Sequence, residues 1–175
     1  MKNATWDDCV AFHGHSCGGL TIGYKAALYA IELLELKFSD DEEVCCICEN
    51  DACGVDAIQV MLGCSAGKGN LMFHLTGKQA FSFYERSSGK SVRLVLRPRP
   101  EHMTREESFG YYQSRKPAEL FDVKPVKMAL PEGARMFANC VCAECGEEFA
   151  EKYAHLVEGK ILCRDCYKPY TRYDV

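Results

Sequence analysis

The sequence lacks several features that would place the protein in a simple class. No apolar run approaches the roughly 20 residues that a helix needs to cross a bilayer. The N-terminal stretch MKNATWDDCV has early acidic residues and no apolar segment typical of a secretory signal. The net charge is −4, which disfavours nucleic acid as a partner, and repeats and low-complexity tracts are absent. We therefore expect a cytoplasmic globular protein with no membrane partner.

Cysteine is the residue that the chain has in excess, with 12 among 175 residues. A secreted disulfide scaffold is one explanation, but such chains are usually short and loop-rich. This chain has long periodic segments and two pairs with C-x2-C spacing, so we expect reduced thiols, several of them bound to metal. Cys45, Cys46 and Cys48 lie in an apolar run and are expected to be small core residues.

Hydrophobic periodicity predicts an α+β fold, with helices packed on an antiparallel sheet. Apolar residues recur at spacings of three and four over residues 18–38, which predicts one helix, and residues 55–62 are expected to form a second. The candidate strands 71–75, 79–85 and 91–97 are joined by hairpin-type connectors and should form an antiparallel meander.

Three parts follow from this pattern. We predict a core domain over residues 1–116, a proline-containing linker over 117–138, and a four-cysteine zinc finger over 139–175. A chain of 175 residues is long enough for one domain with its own core and a small additional module.

The cysteine pairs near the C-terminus predict a structural zinc site. Cys142 and Cys145 form one C-x2-C pair, Cys163 and Cys166 form another, and 17 residues separate the pairs. Two residues between cysteines allow a tight turn to aim both sulfurs at one ion, and four protein ligands close a tetrahedral site. The spacing suits a zinc ribbon or treble clef, and a redox pair or unligated thiols are the alternatives. With five Lys/Arg against seven Asp/Glu over residues 139–175, the module is a poor nucleic-acid binder.

A second set of ligands lies near the N-terminus, in FHGHSCGG. His13, His15 and Cys17 alternate, as they would on one face of an extended segment, and they lead into the first predicted helix. The positive field at the start of that helix favours the thiolate form of Cys17. Imidazole and thiolate together select a transition metal rather than magnesium or calcium. The alternative is that either histidine caps or packs against the helix.

Further cysteines flank the second predicted helix. Cys53 and Asp56 lie at its start, and Cys64 follows it in the loop GCSAGKGN. This glycine-rich loop contains a lysine, so a phosphate loop is an alternative, but its order does not match the phosphate-loop motif. A cysteine loop that lies near the first ligand set is the interpretation that we favour.

The stretches FHGHSCGGLTIGYK, CGVDAIQVMLGCSAGKGNL, GKQAFSF and SVRL resemble the FmdE-like proteins, a family named from formylmethanofuran dehydrogenase, over residues 10–97. The resemblance implies an α+β core, a homodimer, and a treble-clef zinc finger at the C-terminus. It implies a histidine–cysteine motif at His15 and Cys17, with Cys53, Asp56 and Cys64 lining the same cleft. It also implies association with a molybdenum- or tungsten-dependent oxidoreductase.

Three functions are compatible with these features. The first is a metal-binding accessory protein of such an oxidoreductase, in which His15, Cys17 and Cys64 hold a second transition metal, His13, Cys53 and Asp56 line its cleft, and the tail holds structural Zn²⁺. The second is a stand-alone thiol- or metal-dependent enzyme, with Cys17 as nucleophile and His15 as base. The third is a protein-interaction module whose only metal is the tail zinc.

Overall fold

The computed structural model describes residues 4–173, and the chain divides into two compact units, Met1–Ala134 and Arg135–Val175. The outermost ends of the predicted core and zinc-finger domains, residues 1–3 and 174–175, lie outside the described residues. Residues 117–124, the start of the predicted linker, form a short helix and a strand of the first unit. Among the described residues, no helix has both the length and the apolar character needed to cross a membrane.

The first unit contains a five-stranded mixed sheet made of β1 (Val44–Cys48), β2 (Leu71–Phe73), β3 (Ala80–Glu85), β4 (Ser91–Leu96) and β5 (Phe121–Lys124). Its strand order is β2-β1-β3-β4-β5. The predicted meander is wrong in its first strand, because β2 pairs in parallel with β1 rather than antiparallel with β3. The β3–β4 pair is antiparallel as expected, and β5 adds an antiparallel strand that was not predicted.

Five helices accompany this sheet: α1 (Trp6–His13), α2 (Gly18–Leu34), α3 (Gly54–Leu62), α4 (Arg105–Ser114) and α5 (Pro117–Leu120). The α+β class is confirmed. Helix α3 connects β1 to β2 and provides the crossover that parallel strands require. Helix α2 ends four residues before the predicted Phe38, where Glu35 adopts a left-handed conformation with φ of 56°.

The main core lies between one face of the sheet and helices α2 and α3. Its largest fully buried side chains include Leu20 from α2, Ile58 from α3, and Phe81 and Phe83 from β3. Every residue of β1 is buried, and the prediction that its three cysteines are small core residues is confirmed. A strand buried on both faces reads as a continuous apolar run rather than an alternating one, as this strand does.

The other face of the sheet holds a buried ion pair. Arg93 of β4 and Glu49, just beyond β1, are 3% and 2% exposed and make two hydrogen bonds to each other. The hydrogen bond from Arg93 holds the pKa of Glu49 below its usual value. Arg93 is therefore an internal structural residue and presents no free charge for an anion.

The second unit consists of two short hairpins and a 3-10 helix. Strands β6 (Asn139–Val141) and β7 (Glu148–Ala150) form the first hairpin, and β8 (His155–Val157) and β9 (Lys160–Leu162) form the second. The 3-10 helix spans Glu151–Tyr153. Each hairpin adjoins one of the two C-x2-C pairs, which is the local arrangement expected for a small zinc module.

Candidate metal and thiol site

His13 reaches the site as the last residue of helix α1, an element that the sequence prediction missed. Thr5 and Asp8 form a capping box, in which the Thr5 side chain accepts from the Asp8 N–H and Asp8 accepts from the Thr5 N–H at 2.7 Å. The helix ends at Gly14, whose φ of 89° favours glycine. The extended segment predicted for His13 to Cys17 is therefore wrong, because His13 is helical and His15 follows a turn. The T-x-x-D pattern before Cys9 was the available signal for this helix.

Cys17 occupies the N-cap of helix α2. Its sulfur accepts a hydrogen bond from the Leu20 N–H at 3.3 Å, and its backbone φ of −155° is extended. An N-cap side chain faces the unpaired N–H groups of the first turn, where the helix dipole favours negative charge. Helix α2 has no acidic residue in its first turn to compete for that field.

Asp56 of helix α3 orients the His13 imidazole. Its Oδ2 lies 2.7 Å from His13 Nδ1, while its Oδ1 accepts from the Gln59 side-chain amide at 3.1 Å. A neutral His13 that donates from Nδ1 carries its lone pair on Nε2, and that atom lies 3.9 Å from Cys17 Sγ. A carboxylate behind a histidine is the arrangement that fixes the tautomer and orientation of metal-binding imidazoles.

His13, His15 and Cys17 converge on one small volume. One potential ligand atom from each lies within 4.8 Å of the others, and the two imidazole rings are 4.5 Å apart between centroids. Nitrogen and sulfur ligands of one tetrahedral ion are separated by about 3.5 Å, given metal–ligand bonds of about 2.0–2.3 Å. The three atoms fit a transition metal after a movement of about 1 Å or less. Three protein ligands leave the fourth coordination position open.

Cys53 lies next to Cys17 because helices α2 and α3 approach each other closely. A Cβ on Gly23 would lie 1.9 Å from the Gly54 carbonyl oxygen, so the crossing requires glycine at position 23. Burial, and then the hydrogen bond and charge of neighbouring Cys17, raise the pKa of Cys53.

A cleft of about 400 Å³ opens beside these groups. Its lining includes His13, Cys53 and Asp56 together with Val55, Leu71 and Phe73. A metal at the three-ligand site would therefore adjoin a cleft with both polar and apolar walls.

Cys64, predicted as a metal ligand beside His15 and Cys17, is not brought to this site. Cys53 and Cys64 flank opposite ends of helix α3, whose nine residues span about 13 Å. Cys64 is fully buried, and its thiol contacts the Val44 carbonyl oxygen at 3.5 Å. Burial, with the nearby thiols of Cys45 and Cys48, raises the pKa of Cys64 to about 12. His13 takes the position in the ligand set that the sequence prediction gave to Cys64.

The glycine-rich loop after Cys64 does not present its lysine to a ligand. Lys68 Nζ donates to the carbonyl oxygens of Ser39 at 2.8 Å and Asp40 at 3.3 Å. Both interactions hold the loop against the segment before β1. The phosphate-loop alternative therefore has no free cation at this position.

The four tail cysteines, Cys142, Cys145, Cys163 and Cys166, form a closed ligand set. Their sulfurs all lie within 4.8 Å of one another, and the Cys145–Cys163 sulfur separation is 4.0 Å. Zinc–sulfur bonds of about 2.3 Å place tetrahedral sulfurs about 3.8 Å apart, so the arrangement fits zinc. Backbone N–H groups of Cys145 and Cys163 donate to the Cys142 sulfur and lower its pKa to about 6. This module is a four-cysteine zinc-binding site, as the spacing predicted.

Two other tail residues that could bind metal lie outside this set. Cys140 is on strand β6, and the His155 ring stacks on Tyr167 with centroids 3.9 Å apart and planes 1° from parallel. The stacking gives His155 a packing role beside the second C-x2-C pair.

Comparisons with known proteins agree with this division. The family model described as FmdE, Molybdenum formylmethanofuran dehydrogenase operon, matches residues 12–146, and the prokaryotic dksA/traR C4-type zinc finger matches residues 135–172. The crystal structure of an FmdE-like protein of tungsten formylmethanofuran dehydrogenase from Syntrophus aciditrophicus is similar, with a TM-score of 0.70 and 25% identity. The similarity covers 90% of this chain and 86% of that one.

A probable S-adenosyl-L-methionine-binding protein of Archaeoglobus fulgidus is 27% identical over an alignment of 168 residues. The alignment covers 78% of this chain but 46% of that relative, so the chain spans less than half of the relative's length.

Proposed function

This chain belongs to the FmdE family, and from that premise we propose that it is a metal-binding accessory protein of a molybdenum- or tungsten-dependent oxidoreductase. The family model is described by a molybdenum formylmethanofuran dehydrogenase operon, and the Syntrophus aciditrophicus neighbour is described by the tungsten enzyme. We place the protein in the cytoplasm, because partly exposed thiols such as Cys17 and Cys53 stay reduced there. We also propose that it acts as a homodimer.

The observation that carries the metal-binding role is the contact between His13 and Asp56. Because the carboxylate holds Nδ1 at 2.7 Å, the lone pair on Nε2 points to the side of the ring where Cys17 lies. His13 Nε2, one imidazole nitrogen of His15 and Cys17 Sγ would hold a transition metal, with Cys53 and Asp56 beside it. Such an ion supplies Lewis acidity or redox chemistry when bound. The open coordination position and the adjoining cleft would admit a small-molecule ligand.

The test is the number of metal ions per chain. We would purify the full chain anaerobically and measure metals by elemental mass spectrometry, expecting two equivalents. Cys17→Ser and His13→Ala should each lose one equivalent and retain the tail zinc, because they remove ligands of the core site alone. The matched control is Cys140→Ser, which changes a partly exposed cysteine outside both ligand sets and should retain two. Unchanged metal content in Cys17→Ser would contradict the proposal.

A second candidate function is a stand-alone thiol-dependent enzyme, favoured by the partly exposed Cys17 at the start of helix α2. In this mechanism Cys17 would be the nucleophile, with a neighbouring histidine, His13 or His15, as base. The rate of Cys17 alkylation by iodoacetamide, followed against pH by mass spectrometry, tests it. Substantial reaction well below the ordinary thiol pKa of about 8.5 would support a thiolate, and a midpoint near that value would refute the mechanism.

The third candidate, a protein-interaction module, predicts a different result from the same preparations. It requires one zinc per chain, bound by the tail, and full binding of a partner after Cys17→Ser. Binding of the purified oxidoreductase to the wild-type chain and to Cys17→Ser separates this function from the accessory role. Loss of binding in Cys17→Ser would exclude a module that acts through the tail alone.

A further inference from the structure

The first unit contains seven of the 12 cysteines, and they differ sharply in exposure. Only Cys17 and Cys53 of these seven are partly exposed. A water-soluble oxidant therefore reaches these two before the other thiols of the unit. The fully buried cysteines are Cys9, Cys45, Cys46, Cys48 and Cys64.

The two exposed thiols are also neighbours. Cys17 precedes helix α2 and Cys53 precedes helix α3, and the first turns of these helices touch through their backbones. A Cβ on Gly19 would lie 3.8 Å from Cys17 Sγ and 3.5 Å from Cys53 Sγ. Both sulfurs therefore flank a single point above Gly19, and glycine there leaves the space between them free of a side chain.

The two thiols differ in their surroundings. Cys17 lies in the ligand set with His13 and His15, and the Leu20 N–H donates to its sulfur. Cys53 lies outside that set, and burial together with Cys17 raises its pKa, which keeps it protonated. Cys17 is thus suited to attack an oxidant, and Cys53 is suited to react with the oxidised sulfur.

We propose that Cys17 and Cys53 form a reversible disulfide that removes Cys17 from the metal site, an inference that rests on the proposed function. With hydrogen peroxide as oxidant, the Cys17 thiolate attacks one peroxide oxygen. The O–O bond breaks, Cys17 becomes a sulfenic acid, and the hydroxide that leaves takes up the proton from Cys17 to become water.

The Cys53 thiol then attacks the sulfenic sulfur. The S–S bond forms, and the sulfenic oxygen leaves as a second water with the Cys53 proton. The two thiols lose two electrons in all, and the peroxide gains them. The disulfide has no thiolate to offer, so the metal keeps only two histidine ligands and dissociates.

The disulfide can be mapped directly in the full-length protein. After treatment with hydrogen peroxide and alkylation of the remaining thiols, endoproteinase Asp-N cuts before Asp51 and Asp56. It thereby isolates Cys53 in the five-residue peptide Asp51–Val55, which contains no other cysteine. In the wild type we expect this peptide joined to the peptide that contains Cys17, with two core thiols lost per chain. Dithiothreitol should restore both.

Metal content links the disulfide to the site. The wild type should lose one core equivalent in step with the cross-link and regain it after dithiothreitol and added metal. Cys53→Ser should form no cross-link, and its Cys17 should proceed to sulfinic acid, which dithiothreitol does not reverse. Cys17→Ser measures loss from the tail at the same peroxide dose, and Cys140→Ser should behave as the wild type.

The outcomes separate this proposal from the proposed function. If Cys53 stays fully alkylatable while Cys17 oxidises, or if Cys53 joins a different cysteine, the disulfide proposal is overturned. If the cross-link forms in a chain that holds no core metal, the thiol pair is supported and the metal-binding function fails. If the core metal is present and no cross-link forms, the function is supported and the disulfide proposal fails.

Discussion

Replacing Gly23 with alanine should push helices α2 and α3 apart and weaken the core site. The added Cβ would lie 1.9 Å from the Gly54 carbonyl oxygen and 2.4 Å from two further Gly54 backbone atoms. These atoms belong to the first turn of α3 and cannot rotate away, so the helices must separate by about 1 Å or more to restore van der Waals contact. Overpacking of this kind costs about 1–3 kcal/mol, against a gain in helix propensity of about 1 kcal/mol.

The separation should be felt at the metal ligands. Cys17 and Cys53 precede the two helices that are forced apart, and the Asp56 contact with His13 crosses from α3 to the end of α1. Loss of a carboxylate contact behind a metal-binding histidine lowers metal affinity by about 10–100-fold. We expect a decrease in this range for Gly23→Ala, measured by competition with a chelator of known affinity.

Gly110→Ala provides the matched control. Gly110 lies within helix α4, is exposed, and has no atom within 4 Å of an added Cβ. This variant should gain up to about 1 kcal/mol from helix propensity and keep its metal affinity. Urea unfolding compares both variants with the wild type. If Gly23→Ala proves as stable as Gly110→Ala with unchanged metal affinity, then α2 and α3 do not cross as closely as described.

The remaining predictions concern three other contacts. Asp56→Asn should lower core-metal affinity by about 10–100-fold because the imidazole loses its anionic acceptor, whereas Asp51→Asn, an exposed change at the same cleft, should leave it unchanged in the chelator assay. Arg93→Met should destabilise the chain by about 3–5 kcal/mol in urea unfolding, because it leaves a buried carboxylate unpaired. Since the folded pKa of Glu49 is depressed, the stabilising effect of this ion pair is complete above the unfolded pKa of about 4.3 and is lost as the pH falls through the folded value, so the difference should narrow in acid. Cys166→Ser should remove the tail zinc and make residues 135–173 sensitive to protease, while the thermal unfolding of the first unit stays unchanged; a protease-resistant tail without zinc would contradict this.

The tail site could be predicted from the sequence because its determinants are local. Each C-x2-C pair fits one tight turn, and one ion joins the two turns whatever the rest of the chain does. The core site depends on contacts that spacing does not record. His13 and Asp56 are 43 positions apart, and Gly23 matters through its closeness to Gly54. His13, His15 and Cys17 were found from residue type, but the exclusion of Cys64 required the length of helix α3.

The error in the sheet has a related cause. Short connectors such as Thr76-Gly77-Lys78 suggested that neighbouring strands in sequence also pair in space. The α3 crossover instead places β2 on the far side of β1, and every residue of β1 is then buried between two strands and two layers. Strand β5 was missed because it follows a proline in a segment that reads as irregular, and its pairing with β4 depends on tertiary contact.

The two ligand sets differ in a way that assigns them different work. The tail offers four sulfurs, which complete a tetrahedron and leave no place for a further ligand. The core offers two imidazoles and one thiolate, with an open position that adjoins the cleft. A closed site has nothing to gain from surrounding groups that tune reactivity, whereas the core site has an oriented histidine, a helix N-terminus at its cysteine and an oxidisable neighbour in Cys53. The chemistry of this protein therefore belongs to the core site, and the tail zinc serves to hold its own small module together.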